Sequence, residues 1–231
     1  MSAFFVTGAG TELGKTHVAE ALLRAWRDRG LRPDAFKPVM SGFDPADPTD
    51  SDAGRLIAAL DRPLNDTTLA AMAPWRFAAP LAPPLAAAKE RATLNQNAII
   101  EACQARVAAA SAPLLIEGAG GIMAPLTENA TNLDLMVALG LPAIFVTGSY
   151  LGAVSHGLTG LAVLRHAGLE LAAIVVSESE TPGASLSETA DMLSRHGACE
   201  TPIILAPRSA ETSIWARELA DAAPLDGPDT R

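Results

Sequence analysis

The sequence predicts an α/β domain built on a mostly parallel sheet of about six or seven strands flanked by helices. Three observations carry that expectation. Short apolar runs recur without in-out alternation, which is how strands buried on both faces read. Stretches with helical periodicity lie between them. A glycine-rich loop joins the first run directly to the first helical stretch.

The strand candidates are Ala3 to Thr7, Ala35 to Val39, Pro113 to Glu117, Ala143 to Thr147, Ala172 to Ser177 and Ile203 to Leu205. The first helix is expected over Lys15 to Arg29, where Val18, Ala19, Leu22, Leu23 and Trp26 form one stripe and Gly30 stands as a natural C′ residue. A second is expected from Thr93, which has capping-box spacing to Gln96 and would turn Ile99, Ile100, Cys103 and Val107 inward. A third spans Ala153 to Ala167 and closes at Gly168. Residues 43 to 50, rich in Asp and Pro, and 73 to 84, with four prolines, read as surface loops. In an alternating fold of this kind ligands sit at the carboxyl ends of the strands.

With 231 residues and 49% hydrophobic content, the chain reads as one domain, ending in an acidic, proline-containing tail from about residue 220. A formal net charge of −9 argues against nucleic acid as a partner, because a basic stripe is the footprint of phosphate-backbone binding. Cys103 and Cys199 match neither a CxxC nor a metal spacing, which fits a reducing cytoplasm. No secretory signal is expected, and no membrane span, since the longest apolar region, Leu133 to Val146, is broken by Gly140 and Pro142. His17, His156, His166 and His196 share no metal spacing, and Trp75 and Trp215 are expected to pack.

The strongest chemical signal is Gly8-Ala9-Gly10-Thr11-Glu12-Leu13-Gly14-Lys15-Thr16, between the first strand and the first helix. There, backbone N–H groups at a helix N-terminus cradle phosphate oxygens, Lys15 reaches the terminal phosphates, and the Thr16 hydroxyl ligates Mg²⁺. The loop is one residue longer than the common form, since Ala9 stands where the usual spacing puts the first glycine. Glu117 ends a buried strand before Gly118, Ala119, Gly120 and Gly121; a carboxylate there is costly unless paired, so it is a candidate Mg²⁺ ligand or water-holder. Lys37 closes the second strand candidate, where it either snorkels or faces the same ligand edge. Asp52 is either an N-terminal helix acid or a metal ligand.

Taken together, GAGTELGKT at 8 to 16, KPVMSG at 37 to 42, SDA at 51 to 53, EGAGG at 117 to 121, LG at 151 to 152 and TPG at 181 to 183 resemble the dethiobiotin synthetases, P-loop NTPase-like enzymes, over nearly the whole chain to about Arg208. The resemblance implies a homodimeric, Mg²⁺- and ATP-dependent cyclo-ligase of biotin biosynthesis that converts 7,8-diaminononanoate and CO₂ to dethiobiotin. By the same resemblance Lys37 and Lys15 are catalytic, and Thr11, Lys37, Ser41, Leu151 and Gly152 hold substrate. The nucleotide falls to Glu12, Leu13, Gly14, Lys15, Thr16 and His17, together with Asp52, Glu117, Gly118, Ala119 and Gly120. Ser177, Glu178, Ala206, Pro207 and Arg208 complete that set. Mg²⁺ falls to Thr16, Asp52 and Glu117.

Three positions depart from the family pattern. Ser177 replaces the Asn that reads adenine, which opens the site to other nucleoside triphosphates. Pro84 stands where His is common, and Ser155 where an Asn faces the partner chain. Two other classes compete: a ParA/MinD-type nucleotide switch and a cobyrinate-type amide-forming synthetase. The first is expected to carry a second lysine early in the phosphate loop, and the second an added glutaminase domain; neither is present in this sequence.

Overall fold

The structure, a computed structural model, describes residues 2–197, 200–208, 212–223 and 225. In chain order the first half comprises β1 (Ala3–Gly8), α1 (Lys15–Asp28), β2 (Asp34–Phe36), β3 (Val39–Ser41), α2 (Asp52–Ala59), α3 (Asp66–Met72), β4 (Trp75–Phe77), α4 (Pro83–Lys89) and α5 (Gln96–Ala109). The second half comprises β5 (Leu114–Glu117), α6 (Asn132–Leu139), β6 (Ala143–Thr147), α7 (Ala153–His166), β7 (Leu171–Ser177), α8 (Leu186–Gly197), β8 (Ile203–Ala206) and α9 (Thr212–Ala222). Six strands form one parallel sheet in the order β2-β5-β1-β6-β7-β8, and β3 and β4 form a separate parallel pair.

The non-alternating runs have a direct cause: successive residues serve two cores. Phe4 and Val6 of β1 pack with Val18, Leu22 and Trp26 of α1 and with Trp215 and Leu219 of α9. Phe5, between them, packs on the other face with Ile99 of α5, Met136 of α6 and Leu161 of α7. Burial of this kind stabilises by roughly 25 cal/mol per Å² of apolar surface, so one strand contributes to both layers. Register then sets the ligand edge. Val6 lies opposite Glu117 and Gly8 opposite Val146, which brings the start of the phosphate loop and the end of β5 to one rim.

Several sequence expectations shift. The strand expected to run through Val39 stops at Phe36; Lys37 and Pro38 break it, because Pro has no N–H for the ladder, and Val39 starts the second sheet. Residues 73 to 84 are not all loop: Trp75–Phe77 pair with Val39–Ser41, and α4 begins at Pro83. The helix expected from Thr93 starts at Gln96, because the Asn95 side chain accepts the Ala98 N–H and takes the cap. Only Ile99 and Cys103 of its expected stripe are fully buried. Of the tail expected from about residue 220, Ala220 to Ala222 belong to α9, and residues 224 and 226–231 lie outside the described residues. Burial pushes the Cys103 thiol up to about 12, which leaves it an inert packing group; Cys199 lies outside the described residues. No helix among the described residues is long and apolar enough to cross a membrane.

Candidate functional site

The loop between β1 and α1 is tight because of its glycines. Gly14 caps α1 with φ 86°, a left-handed backbone that suits Gly, and Glu12 also holds a positive φ of 59°. Opposite it, a Cβ on Gly121 would stand 3.0 Å from the Gly10 Cα, so the two glycine loops approach backbone to backbone. The loop after β5 is pinned from behind by Asn132. This residue is fully buried at the start of α6, and its amide donates to the carbonyls of Ala119 and Gly121. Sequence reasoning missed Asn132; the available signal was a polar residue at a helix start shortly after a glycine run.

At the rim, four side chains from four different segments converge. The Thr16 hydroxyl lies 2.8 Å from Asp52 Oδ1 and 2.8 Å from Glu117 Oε1 and can donate to either. Lys37 Nζ lies 2.5 Å from Glu117 Oε1 and 2.8 Å from Asp52 Oδ2, with only 3% of its side chain exposed. Lys15 Nζ donates to the Gly10 carbonyl at 2.8 Å, back onto its own loop. The break at Lys37-Pro38 is what turns this ammonium into the cluster, since the Lys37 N–H is diverted to the Met72 carbonyl.

The electrostatics follow from burial. For Lys15, burial and the neighbouring Lys37 charge outweigh Glu117 and Asp52 and bring the ammonium down to about 8. Burial alone would lower Lys37 too, but Glu117 and Asp52 outweigh it and hold this ammonium above its ordinary range. Glu117 carries the cost: burial raises its carboxyl above the usual range despite Lys37. For Asp52 burial is outweighed by Lys37, which keeps it below that range.

Two cavities flank this cluster. One, of about 740 Å³, is walled by Glu12, Leu13, Gly14, Ser177, Glu178, Ala206 and Arg208. The other, of about 810 Å³, holds Thr11, Lys15, Thr16, Lys37, Ser41, Asp52 and Glu117. His17 borders both and packs its ring against Trp215. Ala119 and Gly120, expected with the nucleotide, line the second cavity together with Lys15 and Thr16. Gly118 and Pro207 line neither cavity, Gly118 being packed under Phe5. Leu151 and Gly152 are likewise not brought in, and Leu151 is 89% exposed. Residues not anticipated are Arg55 on both walls, Tyr150 on the first, and an apolar stretch, Met40 with Pro80 to Pro83, on the second. Met40 comes from β3, Pro80 to Ala82 from the loop between β4 and α4, and Pro83 from the start of α4; no periodicity in the sequence announced their placement.

The donor set fits Mg²⁺. Thr16, Asp52 and Glu117 offer hard oxygens, and Glu117 Oε2 is buried without a hydrogen-bond partner. The described residues contain no group of three His, Cys, Asp or Glu able to hold a metal, so no all-protein cage is present. Mg²⁺ commonly takes one or two carboxylates and completes its shell with phosphate and water.

A parallel sheet whose first strand feeds a phosphate loop, with a hydroxyl and two carboxylates gathered beside the loop lysine, defines a P-loop nucleotide-binding protein of the NTPase class. Comparison with known proteins agrees: a family model described as an AAA domain matches residues 2–206. Among curated relatives, the ATP-dependent dethiobiotin synthetase BioD of Phenylobacterium zucineum is 49% identical over 96% of this chain and 95% of its own length. That of Caulobacter vibrioides is 54% identical over 90% and 94%. The chain belongs to the dethiobiotin synthetase family. The cell division ATPase MinD of Pyrococcus furiosus superposes with a TM-score of 0.55 at 15% identity, covering 96% of this chain and 98% of its own, a likeness of fold alone.

By the resemblance Ser177 stands at the base-reading position, and weak base selectivity is the expectation there. It sits at the end of β7 on the first cavity, its Oγ 2.8 Å from where a Gly14 Cβ would be, and offers one hydroxyl instead of a paired donor and acceptor. Glu178, a second candidate base reader, already accepts the Arg208 backbone N–H at 2.8 Å. Loss of a bidentate contact worth roughly 1 to 3 kcal/mol shrinks discrimination by about 5- to 150-fold. The expected result is kcat/KM for GTP and CTP within about a thousandfold of ATP. A larger ATP preference over both would mean that another group reads the base.

Proposed function

We propose that this chain is a dethiobiotin synthetase that closes a ureido ring on 7,8-diaminononanoate with CO₂ at the expense of ATP. The observation that carries the reading is the Lys37 ammonium. It is buried between Glu117 and Asp52 and faces a cavity with the phosphate loop on one side and an apolar wall on the other. The phosphate loop suits the polyphosphate, and Met40, Leu81 and Pro83 suit a long alkyl chain.

In this reading one substrate amine adds to CO₂ and loses a proton to give a carbamate. A carbamate oxygen attacks the γ-phosphorus and ADP leaves. The second amine then attacks the carbonyl of the mixed anhydride, expelling phosphate and closing the ring. The chain's part is positioning and charge neutralisation. Lys37 answers the carbamate and the phosphoryl oxygens, Lys15 the terminal phosphates, and Thr11 and Ser41 the diamine end. Thr16, Asp52 and Glu117 would hold Mg²⁺, which supplies further neutralisation of phosphate charge when bound. Assembly as a homodimer belongs to the same reading; Leu151 and Gly152, outside both cavities, would then act at the partner-facing surface.

Asp52→Asn and Glu117→Gln each remove one negative charge from a hard-oxygen set. Both are expected to raise the Mg²⁺ concentration for half-maximal rate by about tenfold, the effect of ~1.4 kcal/mol. An unchanged Mg²⁺ titration for Asp52→Asn would leave Asp52 as a helix-start acid. The activity itself is tested by incubating the protein with diaminononanoate, bicarbonate and Mg-ATP. Mass spectrometry should find dethiobiotin formed with ADP. Diamine-independent ATP hydrolysis without dethiobiotin would overturn the reading in favour of a nucleotide switch.

A further inference from the structure

We propose that Arg55 is a further nucleotide-contacting residue, supplying from α2 a guanidinium that pairs with a phosphate oxygen; the inference rests on the nucleotide reading above. Helices α1 and α2 lie side by side and are joined by two rungs. Thr16 reaches Asp52 at 2.8 Å, and one turn further along α1, Glu20 Oε2 accepts from Arg55 Nη2 at 2.7 Å. Asp52 and Arg55 are three apart on their helix and therefore share a face. The rung that places Asp52 in the metal-binding candidate thus places Arg55 next to it.

Four residues wall both cavities: Glu12, Gly14, His17 and Arg55. Three belong to the phosphate loop or the start of α1. Arg55 alone among them comes from elsewhere in the chain, so it stands at the seam that a nucleotide spanning both cavities must cross. Its ion pair with Glu20, at 2.7 Å, leaves donors of the fork over. Glu20 engages one nitrogen of the planar fork, the rest of which has no hydrogen-bond partner among the described residues, and the side chain keeps 36% of its surface exposed.

Glu20, Asp52 and Asp50 stabilise the Arg55 cation, so the guanidinium stays charged beside the loop. The positive dipole end of α2 lies near it and adds to what this segment offers an arriving polyanion. The planar fork presents paired N–H donors that match phosphate oxygens as they match a carboxylate.

The experiment is calorimetric binding of Mg-ADP, Mg-ATP and Mg-GDP to the wild type, Arg55→Ala, Arg55→Lys and Glu20→Gln, with thermal melts of each. Arg55→Ala is expected to weaken all three nucleotides by about tenfold or more, as the loss of one charge-assisted contact does. Arg55→Lys recovers part of the loss. Glu20→Gln breaks the rung but leaves the guanidinium, and is expected to bind within about threefold of wild type. Unchanged affinity in Arg55→Ala overturns the proposal. Equal losses in Glu20→Gln and Arg55→Ala also overturn it, making Arg55 a brace between helices, and a loss confined to adenine nucleotides makes it a base contact. A wild type that binds none of the three overturns the nucleotide reading itself.

Discussion

Lys37→Gln should fold, bind Mg-ATP within a few-fold of wild type, and lose turnover by about 10²- to 10³-fold, the scale for removing one preorganised charge contact. The base-side cavity does not contain Lys37, so nucleotide affinity survives, while the carbamate and the transferring phosphoryl group lose their nearest buried cation. The same substitution carries a stability cost. Glu117 is 1% exposed and its second oxygen already has no partner, so deleting Lys37 leaves a buried carboxylate uncompensated. Breaking such a pair typically costs ~3–5 kcal/mol, on the order of 10 °C in Tm for a chain of this size.

A second variant separates the two effects. Lys37→Gln combined with Glu117→Gln removes both charges and should recover much of the melting temperature, yet stay inactive. The pair is close enough to couple, and the cycle measures that coupling. Steady-state kinetics and thermal melts read both. More than about half of wild-type activity in Lys37→Gln would remove this residue from the chemistry.

Lys15→Ala is expected to abolish measurable turnover and to weaken ADP and ATP by roughly 10- to 150-fold, the cost of ~1.5–3 kcal/mol for a hydrogen bond to a charged group. Wild-type affinity and turnover in this variant would take the phosphate loop out of the mechanism. Burial adds a pH signature to ligand-free protein. The folded Lys15 titrates at about 8, below its ordinary 10.5, so between those values the unfolded chain binds more protons. Stability conferred by this group therefore rises as pH increases through that window, by on the order of 3 kcal/mol. Below pH 8 the full penalty of burying the charge stands. Urea unfolding of wild type and Lys15→Ala at pH 7.5 and 10 isolates the effect, since other titrations cancel in the difference. An equal pH response in the two proteins would mean that Lys15 is not desolvated in the ligand-free state.

Much of this protein was legible in its residues because the determinants are local. A strand buried on both faces needs an uninterrupted apolar run, so β1, β5, β6 and β7 could be read directly. A phosphate loop needs Gly, Lys and Thr at fixed offsets between a strand and a helix, so Gly14, Lys15 and Thr16 could be placed in sequence. What tertiary structure decided is whatever depends on segments far apart in the chain. The sequence leaves Asp52 open between helix acid and metal ligand; only the pairing of α1 with α2 puts it 2.8 Å from the Thr16 hydroxyl. The sequence leaves Lys37 open between snorkelling and facing the ligand edge; only where Pro38 ends β2 and a second, three-residue sheet begins does its ammonium come onto Glu117, 80 residues away. Asn132 and Arg55 carry no motif. Their importance lies in carbonyls and cavity walls that exist only once β5 lies beside β1 and α2 beside α1, because a side chain's partners are set by packing and not by its neighbours in sequence.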